Sequence, residues 1–138
     1  MQHSPSLLSS KDACGHIRNY FNWEQEEVHI VALNPQKQVL ATGLLFRGTV
    51  DYCLFHPRDV FRFLLRHNAS CFILAHNHPS GEKEPSLADI EVTHRLYKLA
   101  GMMQIELLDH LILTPTEFCS LKERGVLRLT RSSRTRIK

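Results

Sequence analysis

Apolar positions along the chain fall into two kinds of run. Val28 to Leu33, Val39 to Phe46 and Thr49 to Phe55 are short and rich in β-branched and aromatic residues, which predicts three strands. Asn34-Pro35-Gln36-Lys37 is a turn signal between the first two, and Gly48 marks a hairpin or bulge before the third. Ser70 to Ala75 is a continuous apolar run, as expected of a buried strand, and Ile105 to Leu108 and Leu111 to Leu113 read as two more short strands. Helical spacing appears in three places. Ser10 can cap a helix running to about Tyr20, with Ile17 and Tyr20 among its apolar positions. Pro57 suits the first turn of a second, ending near His67, whose apolar face is Val60, Phe61, Leu64 and Leu65. A third spans Leu87 to about Ala100, with Ile90, Leu96 and Leu99 turned inward and Gly101 near its end. Phe118 begins a last strand or turn before Lys122. Strands and helices interleave, and the early strands are joined by tight turns, so the pattern predicts an α/β fold with a mixed sheet in one domain.

Composition narrows this only a little. The chain has 138 residues, 43% hydrophobic, with a formal net charge of +3. That length suits one domain with a sizeable core. No apolar run approaches a membrane span, and Met1 to Leu8 lacks the charged start and apolar core of a signal peptide, so a cytoplasmic protein is expected. Residues 1–9 read as a loose leader and residues 10–127 as the domain. Cys14, Cys53, Cys71 and Cys119 are scattered without a C-x-x-C pair, which points to reduced thiols, with Cys71 in the core.

The chemistry is concentrated in residues 76–89. His76 and His78 follow the apolar run at i and i+2, so on a strand both imidazoles face one side. A Pro/Gly loop then turns the chain, and Asp89 at the start of the next helix can return to the same point. Two imidazoles and a carboxylate make three ligands, leaving a fourth zinc position for water, as in catalytic zinc sites. Each piece alone also has a plain structural explanation. H-x-H pairs are common, and Ser86-x-x-Asp89 after Pro85 is close to a capping box. The whole string, H-x-H-x(7)-S-x-x-D between a strand and a helix, is not explained by capping.

That string is the signature of the JAMM (MPN+) metalloprotease motif, and His76-Asn77-His78-Pro79-Ser80-Gly81 resembles the RadC family in particular. The flanking segments agree. Phe55-His56-Pro57-Arg58-Asp59-Val60-Phe61, Asn68-Ala69, Leu108-Asp109-His110-Leu111-Ile112 and Ser120-Leu121-Lys122-Glu123-Arg124-Gly125 all resemble blocks of that family, so the resemblance runs from about Ser10 to Leu127.

The resemblance implies a single JAB/MPN-like domain, a mixed central β-sheet flanked by helices in a cytidine-deaminase-like architecture. It implies Zn2+ held by His76, His78 and Asp89, and hydrolysis of peptide or isopeptide bonds by a water that the cation activates. It also implies a glutamate base upstream of the histidines. Glu24, Glu26 and Glu27 are the candidates; aligning Ile30 to Asn34 with the family's apolar strand places Glu26 at that glutamate, with Glu27 the alternative. Ser86 would donate to the oxyanion as well as cap its helix. Asn77 and Ser80 could orient ligands. Asp109 and His110 read either as a buried structural pair or as support for the site. His3, His16, His29, His56, His67 and His94 read as ordinary surface.

RadC proteins are also traditionally labelled as DNA-repair proteins, which makes a DNA-associated role the alternative. The helix-hairpin-helix region of longer members has no room in this chain. Residues 128–138 carry Arg128, Arg131, Arg134, Arg136 and Lys138 without an acid. A solvated tail is the expectation, and a weak nucleic-acid contact is its functional counterpart. A metal-binding scaffold without turnover is the third reading.

Overall fold

A computed structural model of the chain describes residues 4–48 and 56–127. The elements are α1 (Ser10–Ile17), a 3-10 turn (Arg18–Tyr20), β1 (Glu27–Leu33), β2 (Val39–Arg47), α2 (Pro57–Arg66), β3 (Cys71–Asn77), α3 (Leu87–Met102), β4 (Glu106–Leu113) and β5 (Phe118–Ser120). The strands form one mixed sheet in the order β2-β1-β3-β4-β5, in which only the β3–β4 pair is parallel. This is the expected α/β domain. The strand expected over Thr49 to Phe55 and the basic tail lie outside the described residues.

Alternation along the central strands builds two cores. Val28, Ile30, Ala32, Phe72, Leu74 and Leu107 face α2 and α3, packing on Val60, Phe61, Leu64, Leu96 and Ala100. Val31, Leu33, Cys71, Ile73, Ala75, Leu111 and Leu113 face α1, packing on Ala13, Cys14 and Ile17. Every residue of β1 and β3 is buried, as helices on both faces require. At Gly43 of β2 any Cβ would fall 2.7 Å from the ring of Phe63, so glycine lets α2 sit close to that strand.

Several sequence expectations need correction. The α1 cap is Ser9, whose hydroxyl accepts the Asp12 N–H, and the α-helix stops at Ile17, leaving Tyr20 exposed. Leu65 is exposed, because the α2 stripe is Val60, Phe61 and Leu64. Helix α3 runs through Gly101 and ends where Gln104 takes a positive φ of 58°. The leader is not loose where it is described. Leu7 is buried beneath α1, its N–H donates to the Lys37 carbonyl, and Val39 N–H donates to the Pro5 carbonyl.

The two short strands around Asp109-His110 are one strand. Ile73 pairs with Asp109 and Phe72 with Leu107, so Leu108 is an extra residue, a bulge. Beyond it Asp109 turns toward β5 and His110 toward α3. Asp109 accepts from the Ser120 hydroxyl (2.5 Å), the Lys122 N–H (3.0 Å) and the His110 N–H (2.7 Å). Burial raises its pKa, and these donors only partly offset that.

Candidate metal centre

His76 is the penultimate residue of β3, on the same sheet face as Leu74 and Phe72, which places it under the start of α3. His78 lies just past the strand end and is also buried. Its Nδ1 meets the Glu82 carbonyl at 2.5 Å. A carbonyl only accepts, so Nδ1 carries the proton and Nε2 keeps its lone pair.

Asp89 enters from α3. Ser86 and Asp89 form a full capping box: Ser86 Oγ accepts the Asp89 N–H (3.1 Å) and Asp89 Oδ2 accepts the Ser86 N–H (2.8 Å). The cap fixes the Asp89 rotamer and turns its carboxylate inward. Its Oδ1 lies 3.2 Å from His76 Nδ1 and its Oδ2 lies 3.7 Å from His78 Nε2. Burial works to raise the Asp89 pKa. The His76 ring beside it and the Ser86 N–H outweigh it and hold the carboxyl well below its usual range.

This donor set fits a tetrahedral cation. Ligand atoms about 2.1 Å from zinc stand roughly 3.4 Å apart in a tetrahedron, and the two observed separations, one to each Asp89 oxygen, bracket that value. Among the described residues neither ring nitrogen of His76 meets a hydrogen-bond partner in good geometry despite full burial, although Asp89 stands beside it. A buried imidazole without partners is costly in an apolar core and natural beside a cation. The rings of His76 and His78 stand edge to face, 4.6 Å between centroids.

The three acids before β1 separate by strand parity. Val28 pairs with His76 in antiparallel register, so Glu26, two residues earlier, falls on the face of His76 and His78. Ligand atoms of Glu26, His76 and His78 all lie within 4.8 Å of one another. Glu27 points to the opposite face and is 2% exposed. Its carboxylate is held by the Asn22 N–H (2.9 Å), His29 Nε2 (3.1 Å) and Arg47 Nε (3.0 Å). Burial would raise its pKa, but these donors together lower it. Glu24 is exposed at the turn.

The structure corrects the reading of one histidine and decides between the two readings of another. His29 is buried rather than on the surface, with its ring 4.4 Å from that of Phe21. The fully buried run of β1 was the available signal. His110 belongs to the site. The Thr93 hydroxyl donates to the Asp89 carbonyl (2.6 Å) and so accepts from His110 Nδ1 (2.6 Å). The Nε2 lone pair of His110 is thereby left unpaired and buried, and ligand atoms of His76, Asp89 and His110 also lie within 4.8 Å of one another. Burial lowers the His110 pKa to about 4, so the ring is neutral. Ser80 is exposed on the loop, and His94 is exposed and bonds to the Val126 carbonyl.

Residues 7–126 match the family model described as a RadC-like JAB domain. The UPF0758 protein YeeS of Escherichia coli (strain K12) is 43% identical over 111 residues, covering 80% of this chain and 75% of the relative. A UPF0758 protein of Chlorobium chlorochromatii is 36% identical over 132 residues, covering 92% of this chain and 60% of the relative. The UPF0758 protein YsxA of Bacillus subtilis is 44% identical over 103 residues, with 75% and 45% covered. The chain thus spans about half the length of several curated relatives it matches. No helix among the described residues is long and apolar enough to cross a membrane. With the family model covering nearly the whole described domain, the chain belongs to the RadC-like JAB domain family.

Proposed function

We propose that this domain is a zinc-dependent hydrolase of peptide or isopeptide bonds, with a peptide or protein as substrate. The observation that carries the reading is the overlap of two ligand groups at His76, Glu26 with His78 in one and Asp89 with His110 in the other, with Asp89 also 3.7 Å from His78. His76, His78 and Asp89 would hold the cation. Bound zinc supplies Lewis acidity, making a water acidic near neutral pH and polarising the scissile carbonyl.

The chain's own residues do the rest. Glu26 is the base: its carboxylate takes the proton of the attacking water and returns it to the leaving amine. Asp89 stays ionised through the capping box and its histidine neighbours. Ser86 uses an oxygen lone pair on the Asp89 N–H, which leaves its O–H to donate to the developing oxyanion. His110, locked by Thr93, holds its ring within reach of His76 and Asp89.

Incubating zinc-loaded protein with a proteome-derived peptide library and with isopeptide-linked conjugates, read by mass spectrometry, tests the reading. New termini that are absent with E26Q and with chelator support it. No cleavage of either class by the zinc-loaded protein counts against it.

A further inference from the structure

We infer that Asn77, the residue between the two histidines, is the positioning residue for Glu26. The inference rests on the proposed reading of Glu26 as the base. Parity sends Asn77 to the sheet face opposite His76 and His78, so it cannot orient the metal ligands by direct contact. It is completely buried and reaches across to the segment that precedes β1. Its Oδ1 accepts the Glu27 N–H at 2.6 Å. Its Nδ2 donates to the carbonyls of Gln25 (3.0 Å) and Asn22 (3.4 Å). One side chain therefore binds the backbone on both sides of Glu26.

Glu27 tightens the same segment from within. Its carboxylate accepts the Asn22 N–H and anchors to His29 and Arg47, while the Glu26 carbonyl accepts the Gly48 N–H at 2.9 Å. Among the described residues the turn from Asn22 to Glu26 has no regular sheet partner before β1 begins, so side chains supply bonds that its backbone needs. The consequence is geometric. The strand that delivers His76 and His78 also sets the height of Glu26 above them, through the residue in between. Displacing a base by about 1 Å is enough to cost ~10²-fold in rate.

The chemistry at position 77 is specific. Serine could not make all three bonds, and aspartate would place a carboxylate oxygen against two carbonyls. The test uses the full chain and two variants, N77D and the near-isosteric N77L, so that one failing to fold leaves the other. Three measurements apply: zinc per chain, hydrogen exchange of the Glu27 amide, and the visible spectrum of the cobalt-loaded protein at fixed neutral pH.

The expected result is that zinc stays at one per chain and that Glu27 amide protection falls about tenfold or more while β3 amides keep theirs. The cobalt spectrum should shift in the direction that E26Q shifts it, with no further shift when N77D and E26Q are combined. Unchanged Glu27 exchange, zinc loss, or a shift that adds fully to that of E26Q would each overturn the role. A cobalt spectrum insensitive to E26Q is a different outcome. It removes Glu26 from the metal's surroundings, sinks the hydrolase reading itself, and with it the positioning role.

Discussion

Val28 of β1 stands directly opposite His76 of β3, and that single pairing decides which of three neighbouring glutamates faces the candidate metal centre. Because side chains alternate, Glu26 shares the face of Val28 and His76, while Glu27 is turned to the other side and consumed by Asn22, His29 and Arg47.

The two acids therefore fail differently. Glu26→Gln should keep zinc and fold normally but lower hydrolysis by about 10²- to 10⁴-fold. Glu27→Gln should cost about 1–3 kcal/mol of stability, because Arg47 and His29 lose a charged acceptor. Denaturant titration together with turnover per folded molecule separates them.

Glu27 also gives a pH signature. Its folded-state pKa lies below the ordinary 4.5, so the stability it contributes is fully present above that value and is lost as pH falls through the folded-state value. Thermal melts of wild type and Glu27→Gln should differ most at neutral pH and converge in acid. The paired comparison isolates Glu27 from Asp89, which is also held below its usual range.

Ser86→Ala should keep zinc and cost about 1 kcal/mol through the lost cap. If the hydroxyl also serves the oxyanion, turnover per folded molecule should fall about 10²- to 10³-fold. Turnover near normal would restrict Ser86 to capping.

Much of this was legible in the sequence. Short apolar runs bounded by turn signals pointed to β1, β2 and β3, and the H-x-H-x(7)-S-x-x-D spacing singled out the candidate centre. What was not legible depended on partners distant in sequence. Asp109 and His110 looked like a polar break because neither Ser120 nor Thr93 can be paired with them by spacing. The bulge at Leu108, invisible in composition, splits the pair between two faces. His29 looked like surface because its partners, Phe21 and Glu27, depend on which way β1 is turned.

The split makes Asp109 structural. Asp109→Ala would leave the buried Ser120 hydroxyl and His110 N–H without their acceptor, at about 1–3 kcal/mol each. Chemical denaturation should show that loss, with zinc per folded chain unchanged.

The central claim is that His76, His78 and Asp89 hold one zinc ion. Elemental analysis of the purified wild type and of His76→Ala, His78→Ala and Asp89→Ala measures it directly. The account predicts one zinc per wild-type chain and a large loss in each variant that remains folded. Undiminished zinc in all three variants, or none in a folded wild type supplied with zinc, would contradict it.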